Sequence, residues 1–214
     1  MQVLILGSTG LVGSRLLDLM LQDTKVERIH LISRRSCGID HQKIIEYITP
    51  LNKMENFEEA FRVDACYCCL GTTIKKAGGK KEFELIDHAF PLKAATLARK
   101  NNVPQFVVVS ALGATTESSF FYSRVKGNLE RDLKKLDLEF LHIVRPSLII
   151  GTRDERRPAE ALAMIGFKLF KPLFVGPLKK YEGSEVIEIA KTMVALSRSE
   201  ETQFNIESSS IKRN

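Results

Sequence analysis

The sequence predicts an α/β fold built on a doubly wound parallel sheet, and three features carry that prediction. The chain opens with a continuous apolar run, Gln2–Leu6, that stops at a glycine, as a strand buried on both faces does. Strand-like and helical patterns then alternate along most of the chain, the order expected where helical crossovers join parallel strands. With 214 residues, 44% hydrophobic and 27% charged, the chain can bury one large core, so residues 1–214 are counted as a single domain.

Taken in order, Leu11, Val12, Leu16, Leu17, Leu19 and Met20 recur at helical spacing as far as Gln22, and Arg28–Ser33 returns to a strand that runs into Arg34 and Arg35. This is a first βαβ unit. Further strands are expected at 43–48, 64–70, 105–110 and 139–144, with helices at about 82–101 and 121–136. Beyond Gly151 the pattern loosens. A charged loop, 153–157, leads into an apolar helix-like stretch at 159–170, then a loop at 171–177, a Ser-capped helix at 184–196 and a last strand at 202–207. Residues 147–184 are expected to form a small C-terminal cap on the substrate side. The stretch within it reads as a flap, an oligomer contact or a membrane-surface helix, the flap being favoured because ligands in such folds sit beyond the carboxyl ends of the strands.

Between the first strand and the first helix stand Gly7, Ser8, Thr9, Gly10, Leu11, Val12 and Gly13. A diphosphate approaches a backbone only where side chains are absent, and it gains from the free N–H groups and positive pole of a helix start. The context, after a buried strand and opening an amphipathic helix, favours a Rossmann-type dinucleotide site over a simple tight turn. An NAD site would place an acid at the end of the second strand to bind the ribose 2′-hydroxyl. Here Ser33, Arg34 and Arg35 stand there, a set suited to a 2′-phosphate, so NADPH is expected over NADH.

Ser110 ends the strand expected at 105–110, and twelve residues later Tyr122 and Lys126 lie at i and i+4 on one helical face. A phenol is a poor acid–base catalyst near neutrality unless a neighbouring ammonium favours its ionised form. The expected roles are Ser110 polarising a carbonyl, Tyr122 exchanging its proton, and Lys126 tuning Tyr122 while holding the cofactor ribose. A Tyr-x-x-x-Lys pair alone is common as surface charge; the glycine loop and strand-end serine raise its weight.

On the glycine loop, Ser110 and Tyr122-x-x-x-Lys126, the sequence resembles the short-chain dehydrogenase/reductase family. More narrowly, Cys69-Leu-Gly-Thr-Thr73, Lys76-Ala-Gly78, Ser118-Ser-Phe-Phe-Tyr122, Val125-Lys-Gly127 and Arg145-Pro146 followed by Arg157-Pro158 are similar to the atypical branch related to the HIV Tat-interacting protein. The resemblance implies NADPH binding, with Leu70, Gly71 and Thr72 lining the cofactor and the loop after Arg145 and Pro146 beside the nicotinamide. Where many members carry an asparagine that assists proton relay, the matching segment here reads Leu85-Ile-Asp87-His88. The branch also includes cofactor-binding proteins with regulatory roles.

Three functions therefore stay open: an NADPH-dependent oxidoreductase acting on a small carbonyl or alcohol, a cofactor-sensing regulator that binds a protein partner, and an epimerase or dehydratase. The last ranks third because the residues after Pro146 leave limited room for a nucleotide-sugar lobe. His88 reads as a surface or packing residue, and Phe120 and Phe121 as helix anchors of which one faces the pocket. The net charge of +6 and pI near 9.1 are spread along the chain, and the Lys75–Lys81 stretch reads as a solvated loop, so no nucleic-acid partner is expected. Cys37, Cys66, Cys68 and Cys69 match no metal or redox spacing and read as small hydrophobes. No apolar run reaches the roughly 18 residues of a membrane span. With a strand at the very start in place of a leader, a cytoplasmic location is expected, and a homo-oligomer is possible.

Overall fold

The computed structural model describes residues 1–147, 149–150 and 184–207. Seven parallel strands form one sheet: β1 (Gln2–Leu6), β2 (Arg28–Ser33), β3 (Ile44–Ile48), β4 (Ala65–Cys68), β5 (Gln105–Val109), β6 (Phe140–Arg145) and β9 (Gln203–Glu207), in the order β3-β2-β1-β4-β5-β6-β9. The winding reverses between β1 and β4, and a crevice therefore opens beyond their carboxyl ends, where the chain leaves in opposite directions.

The period of two along each strand divides the core into two layers. Val3 and Ile5 of β1, Ala65 and Tyr67 of β4, and Val107 and Val109 of β5 pack with Leu16, Leu17 and Met20 of α1 (Leu11–Gln22) and with Ile189, Ala190 and Met193 of α6 (Val186–Leu196). The alternate residues, Leu4, Leu6, Cys66, Cys68, Phe106 and Val108, pack with Ala94, Ala95 and Ala98 of α4 (Phe90–Lys100) and Leu129 and Leu133 of α5 (Phe121–Leu133). Cys66 and Cys68 are thus core hydrophobes, and burial raises both thiols, Cys68 to about 11.

The expected strands agree with the observed ones to within two residues. The helix expected at 82–101 is longer and is interrupted: α3 (Lys80–Glu84) passes through a π turn, Leu85–Ala89, into α4. Pro91 supplies the reason. Its ring clashes with the carbonyl four residues back and it has no N–H to offer, so the helix widens by one residue at Asp87. Short helix α2 (Ile74–Ala77) precedes it, and an irregular 3₁₀ segment, Leu51–Phe61, packs Leu51, Met54 and Phe61 beneath the sheet where no helix was expected. Ser184 does not cap a helix; Ser184–Glu185 form β8, parallel to β7 (Ile149–Ile150), and α6 begins at Val186. The stretch at 159–170 and most of the expected cap lie outside the described residues.

Candidate functional site

At the end of β1 the chain turns through Gly7 at φ +84°, and the Gly7 carbonyl accepts a hydrogen bond from the Gly10 amide at 2.9 Å. No side chain fits here. A Cβ on Gly7 would lie 2.7 Å from the Cys69 carbonyl oxygen, and one on Gly13 would lie 2.1 Å from the Gly7 oxygen. The first turn of α1 holds no acid, and its N-cap, Gly10, brings no side chain to the free amides. The Ser8 hydroxyl is buried without a hydrogen-bond partner among the described residues. It lines a cleft of about 440 Å³ that Thr9, Ser14, Arg35, Ser36 and Cys37 also border. Leu11 and Val12 turn their side chains to the core and present only backbone. An uncapped helix start, an orphaned hydroxyl and a cradle that any Cβ would fill together fit the diphosphate of a dinucleotide.

On the far side of this cleft, Arg34 and Arg35 are exposed and have no carboxylate partner among the described residues. Ser33 is buried, and its hydroxyl donates to the Arg35 carbonyl at 2.6 Å, closing the turn that carries both arginines instead of reaching outward. Asp18, which also lines the cleft, accepts from Arg15 at 3.1 Å, and Glu46 of β3 accepts from the Ser36 hydroxyl at 2.6 Å and the Cys37 amide at 2.7 Å. Burial would raise the Glu46 pKa, but its bonds from Ser36 and Cys37 outweigh burial and hold it below the usual range. The Glu46 carboxylate braces the loop and pairs with neither arginine.

Across the crevice, Tyr122, Lys126 and Glu130 repeat every four residues along one stripe of α5. Tyr122 stands at the first turn, partly exposed, with its ring 5.6 Å from that of Phe83. Lys126 is buried, and its Nζ lies 2.8 Å from Oδ1 of Asp87, which the π turn directs inward. The other carboxylate oxygen of Asp87 accepts from the Thr72 amide at 2.8 Å, tying in the loop of Leu70, Gly71 and Thr72 that follows β4. Burial disfavours the ammonium, but Asp87 and then Tyr122 more than compensate, so the Lys126 pKa lies above its ordinary value.

Ser110 does not join this group. It continues the Phe106 and Val108 face of β5, is buried, and donates its hydroxyl proton to Glu130. Glu130 is also gripped by Arg145, whose Nε lies 2.9 Å from Oε1 and whose Nη2 bonds Oε2; the same Nη2 donates to the Ala114 carbonyl at 3.2 Å. Eight residues of helix, about 12 Å, separate Glu130 from Tyr122. Among the described residues no hydrogen bond joins Ser110 to Tyr122 or Lys126. The structure thus gives Ser110 and Arg145 an anchoring place, with Pro146 buried behind them and its carbonyl accepting from the Leu112 amide at 2.9 Å.

The sequence has relatives across fungi and mammals. Residues 2–84 match the family model of the semialdehyde dehydrogenase NAD-binding domain. The rat protein HTATIP2 is 34% identical over 165 residues, covering 75% of this chain and 68% of the relative. Protein FMP52, mitochondrial, of Debaryomyces hansenii is 32% identical over 207 residues, covering 95% of this chain and 90% of its own. The chain belongs to the HTATIP2/FMP52 family. This is an atypical short-chain dehydrogenase/reductase family of NAD(P)-binding proteins. Solved structures of the same fold include MoeE5 in complex with UDP-glucose and NAD (TM-score 0.73, 12% identity, 99% of this chain and 79% of that one). The UDP-glucose 4-epimerase of Thermotoga maritima is equally similar (TM-score 0.73, 14% identity, 97% and 77%).

Membership of the HTATIP2/FMP52 family corrects one expectation. Relatives in D. hansenii, Scheffersomyces stipitis, Aspergillus terreus and Emericella nidulans all carry "mitochondrial" in their names, which overturns the cytoplasmic location expected above. Hydropathy at the start of a chain reports on burial and does not report an address. Sequence reasoning also left Glu130 unnoticed, although its i+8 spacing from Tyr122 was a signal, and it gave Asp87 no partner. His88, left out of the site, pairs with Asp132 at 3.0 Å. Of the two aromatics before Tyr122, Phe121 packs on Phe83 while Phe120 stands out in solvent.

Proposed function

We propose that the chain is an NADPH-dependent oxidoreductase acting on a small carbonyl or alcohol in mitochondria, with residues 147–184 capping the substrate side. The observation that carries this reading is the placement of Tyr122 and Lys126 on one face of α5, with the ammonium buried against the loop after β4 at the crevice where the glycine loop ends. NADPH supplies a hydride when bound. The amides of Gly7 to Gly13 hold its diphosphate, Arg34 and Arg35 its 2′-phosphate, and Gly71 and Thr72 border its path to Tyr122. In the reductive direction Tyr122 donates its phenolic proton to the substrate oxygen, and Lys126 stabilises the phenolate left behind. The Ser110 hydroxyl has a single proton, which is committed to Glu130, so carbonyl polarisation falls to Tyr122 in this arrangement.

That commitment of Ser110 also favours a second reading, a regulator that binds NADPH and turns over little or no substrate. One series of measurements separates the two. Calorimetric titration should give tighter binding of NADPH than NADH, and replacing Arg34 and Arg35 by Ser should remove the difference. In a carbonyl-substrate screen Tyr122→Phe should abolish turnover with NADPH affinity kept within a few-fold. Equal affinity for the two coenzymes refutes the arginine assignment, and turnover by Tyr122→Phe refutes the role of the phenol.

A further inference from the structure

Asp87 is buried to 1% exposure and Lys126 to 3%, and the proposed chemistry uses Lys126 but gives Asp87 no part. Gly71 lies directly over the pair: a Cβ there would sit 3.4 Å from Oδ1 of Asp87 and 3.9 Å from Nζ of Lys126. With the Thr72 amide on Oδ2, one carboxylate touches the loop after β4, the helix carrying Tyr122, and the π turn. An amide side chain at position 87 would hold the same loop without bringing charge. A carboxylate brings a full negative charge next to the only ammonium on the Tyr122 stripe of α5.

We infer that Asp87 is a positioning residue that locks the Lys126 ammonium to the Gly71–Thr72 loop and offsets the charge that Lys126 presents to Tyr122. The inference rests on the reading of Tyr122 as the proton-exchanging group. The groups that face the ammonium are Asp87 from the π turn, Cys68 from β4 and Tyr122 from α5 itself. Tyr122 itself packs on the Phe83 ring, and Lys80 of α3 and Arg124 of α5 lie 5.3 and 6.0 Å from the ring of Phe121, the residue before it. Glu130 is taken up by Arg145 and Ser110. Asp87 is therefore the carboxylate in position to neutralise Lys126. Tyr122 thus shares its helical face with an ammonium that is already paired, and loss of the Asp87 charge would leave that ammonium unopposed.

The test needs no substrate. Tyr122 ionisation is read from phenolate absorbance during an alkaline titration, as the difference between each protein and its Tyr122→Phe counterpart. In Asp87→Asn the Lys126 charge becomes unopposed, and the Tyr122 acid dissociation constant should rise about ten-fold. A merely structural aspartate would lower the melting temperature and leave this titration unmoved, which overturns the inference. Should Asp87→Asn not fold, the double variant Asp87→Asn/Lys126→Met removes both buried charges together, the gentler change. There the Tyr122 titration should stay within about three-fold of the parent; a ten-fold weaker acid would mean that Lys126 acts on Tyr122 unopposed, and the inference falls. Loss of all turnover in the carbonyl screen would refute the proposed function without touching this titration.

Discussion

Replacing Gly127 by Ala sets two effects of opposite sign against each other. Gly127 is the residue after Lys126 on α5, and there the helix lies directly on the backbone of the loop that follows β5. A Cβ would stand 2.2 Å from the Thr115 carbonyl carbon and 2.5 Å from the Thr116 nitrogen. Carbon atoms pack at roughly 3.5 Å, so α5 or the loop must retreat by about 1 Å, and both neighbours are backbone with no rotamer to yield. Overpacking of this kind costs about 1–3 kcal/mol, and a clash with backbone belongs at the upper end. Alanine in a helix interior returns about 1 kcal/mol relative to glycine. A net loss of about 1–2 kcal/mol follows, which for a chain of this size lowers the melting temperature by about 2–8 °C. Urea titration and a thermal melt by circular dichroism both read it. If Gly127→Ala melts at or above the parent, helix propensity has won and α5 is not held in close contact with this loop.

Removal of the Glu130 carboxylate should be more costly. Glu130→Ala leaves the Arg145 guanidinium half-buried and the Ser110 hydroxyl without its acceptor, and a loss of about 3–5 kcal/mol is expected in urea unfolding; a change under 1 kcal/mol would show that the cluster does not anchor α5. The ring of His142, buried in β6 with Nε2 2.9 Å from the Gln105 side-chain oxygen, is pushed down to about 4 by burial. The unfolded chain then binds more protons than the folded one between about pH 6.5 and 4, so stability is complete above that window and is lost as pH falls through it, by at most about 3 kcal/mol. His142→Gln should flatten this slope; an unchanged slope would place the acid sensitivity elsewhere.

Residues whose role depends on local pattern were legible from the chain alone. The apolar run of β1, the glycines after it and the 3.6 period of α1 each state a local preference that the fold keeps, and Tyr122 and Lys126 share a face because four residues make one helical turn. What escaped depends on depth and partner. Ser110 comes directly after β5, one residue past the observed strand end, and the parity of β5 had to be followed to see that it shares the Phe106 and Val108 face and meets Glu130. Arg145 was set beside the cofactor through the family resemblance, and no resemblance of short motifs shows a carboxylate that arrives from another element, as Glu130 does. Pro91 hinted at a break in its helix, yet the direction in which the widened turn would send Asp87 follows only from packing against β4. The 3₁₀ segment Leu51–Phe61 has no period to detect, since its turns are broken at Lys53 and Phe57.

The two-residue strands β7 and β8 have a consequence for how this chain tolerates change. Their pairing, Ile149 with Ser184 and Ile150 with Glu185, fixes where the chain departs from the main sheet and where it comes back. The closure entropy of whatever lies between grows only with the logarithm of its length, about 0.6 kcal/mol for each doubling. A change in chain length between these two points therefore adds little closure cost to α6 and β9, which take their place from the β7–β8 pair and from β6.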